Sequence, residues 1–62
     1  MLKYRIVETS TVTDTELERI VNEVSAGGWV FEGFQFVVKE SSRRPSMAFV
    51  MFSREVEEDG SN

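Results

Sequence analysis

Acid–base and nucleophilic chemistry would have to come from a very short menu of side chains here, because the 62-residue sequence contains neither histidine nor cysteine. General acid–base work mostly uses histidine, and a protein nucleophile needs an activated Cys, Ser or Lys beside a base. What remains is a set of carboxylates, Lys39 and Tyr4. Glu32 and Glu40 lie eight positions apart on what reads as one extended run, which separates their α-carbons by roughly 26 Å. They are not an acid–base pair. The usual zinc and iron ligands are missing, and a carboxylate cage needs several convergent oxygens that no Asp-rich loop supplies. Gly27-Gly28 reads as a helix stop and not as a phosphate cradle, since no P-loop or dinucleotide glycine pattern surrounds it. The expectation is a non-enzyme, with no catalytic residue, no metal site and no cofactor.

Recognition offers more. Phe31, Phe34, Phe36 and Phe49, with Arg43 and Arg44 in a polar loop, are the ingredients for stacking single-stranded bases. Charge speaks against it. Residues 1–54 carry all seven basic side chains and seven of the acids, so the body is neutral; Glu55, Glu57, Glu58 and Asp59 make the end acidic. A nucleic-acid surface needs clustered positive charge that tracks the backbone. A weak single-strand binder using the sheet aromatics and the Arg43-Arg44 loop is therefore the alternative reading. A third reading is a small-ligand pocket near Trp29 at a subunit interface. The plainer role for Trp29 is a plug at the helix–sheet junction. Met47 and Met51 suit an adaptable surface or, more simply, core packing.

These side chains must be positioned by few elements. Leu2, Tyr4 and Ile6 alternate with Lys3 and Arg5, and residues 2–10 read as a strand. Thr13 and Glu16 have the spacing of a reciprocal capping box, with Val12 and Leu17 as the accompanying hydrophobic staple. Leu17, Ile20, Val21 and Val24 follow one helical stripe. Glu18, Arg19, Asn22 and Glu23 take the opposite face, and Gly27 and Gly28 stop the helix. Residues 29–40 read as a second strand, interrupted by Gly33 at a bulge or bend. Ser41–Ser46 is a polar loop, and residues 47–54 form the third strand.

The third strand is apolar on both faces, Met47, Phe49 and Met51 on one and Ala48, Val50 and Phe52 on the other. Such a strand is normally covered on both sides, which makes it central. The expected fold is α+β: β-α-β-β, a three-stranded sheet in order 1-3-2, one helix on one face and a right-handed crossover. Residues 1–54 make a single domain, and 55–62 are expected to be an acidic, disordered tail. One helix covers one face. The other would expose some combination of Val7, Val37 and an apolar row of strand 3. A chain this short is marginal alone, and without disulfide or metal the simplest completion is a second copy. The candidate binding or interface residues are Trp29, Phe31, Arg43, Arg44, Phe49 and Phe52. The leading expectation is a non-catalytic, homo-oligomeric binding or scaffolding module, a homodimer with no further partner identified. No run is long and apolar enough to span a membrane, no signal core follows the N-terminus, and the cytoplasm is the expected location.

Tyr4-Arg5-Ile6-Val7-Glu8, the helix around Leu17, the Ala26-Gly27-Gly28-Trp29 turn and the closing Phe52-Ser53-Arg54 resemble a small bacterial family, domain of unknown function 4177. Its members look like a Tyr-Lys-Val-Val strand, a helix, a Glu-Gly-Trp-Glu turn and a last strand ending in a basic residue. The likeness covers most of residues 3–54. This chain departs from it at Gly27 and Val30, where the family usually or often has Glu, and in the Ser41–Ser46 loop. The resemblance implies the fold and carries no activity.

Overall fold

The computed structural model describes residues 1–57. Strand β1 (Leu2–Thr9) leads to helix α1 (Asp14–Ala26), then to β2 (Val30–Val38) and β3 (Pro45–Glu55). The sheet order is β1-β3-β2, with β3 antiparallel to both neighbours, so β1 and β2 are parallel edges. This is the α+β arrangement expected, with the two-sided apolar strand in the centre. The third strand starts at Pro45, two residues earlier than its hydrophobic pattern, because Pro45 pairs with Val38 in the hairpin.

The helix begins where the sequence places it. The Thr13 hydroxyl accepts from the Glu16 amide at 3.2 Å, satisfying one of the open N–H groups of the first turn. The box is only half made. The Glu16 carboxylate turns to Arg19, which donates to it through Nε at 3.0 Å and Nη2 at 2.5 Å. Arg19 also reaches Glu23 at 2.9 Å. A bidentate guanidinium is a better partner for a carboxylate than one amide. At the other end Gly27 caps with φ −86°, and Gly28 takes the left-handed conformation at φ 95°. Only the second glycine uses the freedom expected of the pair.

Packing is one-sided. Ile20 and Val24 of α1 lie on Val50 and Phe52 of β3, flanked by Val7, Leu17, Val21 and Trp29. Ala48, Val50 and Phe52 are fully buried. Val7 pairs with Val50 and so belongs to this covered face, which takes it out of the combination considered for the bare one. The strand extends to Glu55, whose carboxylate pairs with the N-terminal amine at 2.7 Å, and Val56 N–H donates to the Met1 carbonyl. The body therefore continues past residue 54, and the rest of the expected tail, residues 58–62, lies outside the described residues.

Two measurements check this account. Phe52→Ala should cost roughly 3–5 kcal/mol, comparable with the whole stability of so small a core, and leave the chain largely unfolded in a urea titration. A midpoint close to the parent's would mean that Phe52 is not the core. The Arg19 guanidinium holds Glu16 below the ordinary 4.5, mainly through their hydrogen bonds. A depressed carboxyl stabilises the fold above its unfolded value, and that contribution is lost as pH falls through the folded value. An NMR titration should find the Glu16 midpoint below 4.5 and see it return towards 4.5 in Arg19→Gln.

Candidate functional site

Cross-strand partners share a face, so the register assigns every side chain of the sheet. The helix side holds Phe31, Phe34 and Phe36 of β2, opposite Phe52, Val50 and Ala48. It also holds Lys3, Arg5 and Val7 of β1, opposite Arg54, Phe52 and Val50. The bare side holds Leu2, Tyr4 and Ile6 beside Ser53 and Met51, Phe49 and Met47 down the middle, and Val30, Gln35 and Val37 on β2.

The alternation of β2 breaks at Glu32. Phe31 pairs with Phe52 and Gly33 with Met51, which leaves Glu32 as the extra residue of a bulge. Gly33 sits at φ 155°, with nothing within 4 Å of where a Cβ would stand. Glycine is there for its backbone and not to make room. The bulge puts Phe31 and Phe34, three apart, on one face. Their rings are 4.9 Å apart, and Phe34 is 5.7 Å from Phe36. Phe31 also meets Phe52 edge-on at 6.0 Å. The Glu32 carboxylate accepts from the hydroxyl of Ser53, the one buried polar side chain among the described residues.

Two surfaces result. On the bare side Leu2, Tyr4, Ile6, Val30 and Val37 are exposed, and Met47, Phe49 and Met51 are half-buried between them. On the helix side a groove of about 340 Å³ lies between Leu17 and Val21 of α1 and Phe31 and Phe34 of β2. Asp14, Glu18 and Asn22 stand along its lip.

The sequence candidates divide between these places. Phe49 is on the bare face and Phe31 in the groove. Phe52 is completely buried beneath the helix and leaves the candidate set, because the alternation that exposes Phe49 turns Phe52 inward. Arg43 is exposed in the hairpin loop, while Arg44 donates to the Val12 carbonyl at 3.4 Å and ties that loop to the helix entrance. The stacking platform is split: Phe49 lies on the opposite side of the sheet from Phe31, Phe34 and Phe36. Trp29 is half-buried against the core, with the Arg54 guanidinium 4.5 Å from its ring centroid. Arg54 also donates to the Gly27 and Gly28 carbonyls. The ring is thus partly covered by Arg54, and the groove lies elsewhere, along Leu17 and Phe34.

Leu17 and Val21 were legible only as core stripe, and Tyr4 and Ile6 only as strand; nothing in their spacing tells which face the helix takes. No group of three or more carboxylates converges as a metal site among the described residues. None of their helices is long and apolar enough to cross a membrane. Compared with protein-family models, curated proteins and solved structures, the chain finds no match.

Arg54 gives this region its test. Arg54→Ala removes a cation–π contact and two hydrogen bonds to carbonyls, a loss of about 1–2 kcal/mol in denaturant titrations. The emission of Trp29, the single tryptophan, should shift to the red as the ring meets water. Arg54→Lys should recover only part, since an ammonium lacks the planar fork that spans both carbonyls.

Proposed function

We propose that this chain is a non-catalytic binding and scaffolding module that completes itself as a homodimer across the bare face of the sheet. The supporting observation is the apolar surface formed there by Tyr4 and Ile6, by Phe49 and Met51, and by Val30 and Val37. Each large apolar side chain taken fully out of water contributes roughly 1.5–3 kcal/mol. Isolated exposed apolar residues need no explanation, but a contiguous patch spanning three strands does.

Size sets the strength. Three strands about 4.8 Å apart and eight residues long present roughly 15 by 26 Å, on the order of 400 Å² in plan. Side-chain relief enlarges this, yet it stays small beside the ~800 Å² per partner of a standard interface. The dimer should therefore dissociate on dilution and not be obligate.

Charge has a sign too. By register the bare face carries Glu8, beside Phe49, and the Glu32 carboxylate on Ser53, while Glu55, beside Leu2, is paired with the N-terminal amine; Lys3, Arg5 and Arg54 are on the helix side. Salt should screen the resulting repulsion and tighten the dimer. Nucleic-acid binding would respond in the opposite direction, and a split platform offers no single strand all four phenylalanines. The single-strand reading is for this reason the lesser one. Membership of the family that the sequence resembles belongs to the same proposal, as does a cytoplasmic location, with which the lack of cysteine is compatible.

Sedimentation equilibrium over a wide concentration range should give a monomer–dimer equilibrium that strengthens with sodium chloride. Phe49→Glu and, independently, Ile6→Glu should sediment as monomers that keep the parent's circular dichroism. Unchanged assembly in both folded variants would overturn the proposal.

A further inference from the structure

The two edges of the sheet are not treated alike. Edge strands invite pairing with other chains, and proteins blunt them with Lys, Pro, inward charges or cover. Edge β1 carries Lys3, Arg5 and Glu8 at its helix-side and bare-side positions. Edge β2 is Val-Phe-Glu-Gly-Phe-Gln-Phe-Val-Val, whose sole charge, Glu32, is spent in the bulge on Ser53. Beyond the bulge, Phe34–Val37 runs in regular register with β3 and has no partner on its outer side among the described residues.

The groove lies between α1 and this same edge strand. Its walls are Leu17, Val21, Phe31 and Phe34, and its lip is a row at helical spacing: Asp14, Glu18 and Asn22. Neither Asp14 nor Glu18 is in an ion pair with the described residues, whereas Glu16 and Glu23 on the far flank share Arg19. Residues four apart on a helix are spaced by about 6 Å, and residues two apart on a strand by roughly 6.6 Å. A strand added to β2 thus has a repeat close to that of the Asp14, Glu18 and Asn22 row, two of whose three members are acidic.

We infer that the groove between α1 and β2 receives an extended basic segment of another polypeptide, laid along the free edge of β2 as a fourth strand, with arginine or lysine at alternate positions facing the helix. Backbone hydrogen bonds to β2 give affinity, as in strand addition generally, and the alternate side chains give selectivity. A long basic side chain suits the groove at both ends. Its aliphatic stem lies across the Phe31 and Phe34 rings while its head reaches Glu18 or Asp14. A second copy of this chain is the poorer occupant. Two β2 edges joined about a two-fold normal to the sheet keep both helices on one side and bring acidic lip to acidic lip. The groove is on the opposite face from the proposed dimer surface, so the two readings stand or fall separately.

The test uses the amidated peptide acetyl-Thr-Arg-Thr-Arg-Thr-Val-Thr, a counterpart with Glu for both Arg, and one with the two Arg adjacent. Titration into the labelled protein should give saturable amide shifts confined to residues 30–38 and 14–22 for the first peptide alone. Glu18→Lys should weaken binding about five- to tenfold, while Glu23→Lys on the far flank changes it less than about twofold. The monomeric Phe49→Glu variant should bind as the parent does. Equal binding of the acidic peptide, equal losses in Glu18→Lys and Glu23→Lys, shifts centred on Ile6 and Met51, or no saturation at millimolar peptide would each overturn the inference.

Discussion

Everything in this fold follows from one imbalance: a central strand that is apolar on both faces and a single helix to cover it. Ala48, Val50 and Phe52 are sealed beneath α1. Their alternate neighbours Met47, Phe49 and Met51 receive only the partial shelter of adjacent strands. A helix is about 10 Å wide with its side chains, and a three-stranded sheet is about as wide again by half. Coverage therefore fails in two places, completely on the far face and partially along β2. Both candidate surfaces are these two deficits.

The absence of histidine and cysteine sharpens that conclusion. Most small domains compensate a thin core with a covalent or metal cross-link. Here local chemistry supplies only modest substitutes: the Arg19 fork on Glu16 and Glu23, the Arg54 lid on Trp29, and the pairing of the N-terminal amine with Glu55. All three are exposed to solvent in part, and pairs of that kind contribute little individually. Any further stability has to come mostly from area, and the uncovered apolar area is on the sheet.

Much of this is legible in the sequence. The two-sided pattern of residues 47–52 identified the central strand, the Thr13 cap placed the start of the helix, and the paired glycines placed its end. What stayed hidden has a physical cause in each case. The helix stripe is wide enough to pack in more than one rotation, so Leu17 and Val21 could not be told apart from Ile20 and Val24. Register between β1 and β3 depends on long-range pairing, which moved Val7 under the helix and left Tyr4 and Ile6 outside. The competition between Thr13 and Arg19 for the Glu16 carboxylate is a choice between two local partners that spacing alone permits equally. The bulge hid the facing of β2 altogether.

That bulge works as a phase shift in a two-letter code. Upstream of Glu32 odd-numbered residues of β2 face the helix; downstream the even-numbered ones do. One unpaired residue thereby transfers Phe34 and Phe36 to the same side as Phe31 and hands Gln35 and Val37 to the other. Insertion and loss of single residues at this point are consequently not neutral changes of length. Each exchanges the whole outer half of an edge strand between the two sides of the sheet, converting an aromatic ladder into part of the bare face, or the reverse, without altering a single side chain.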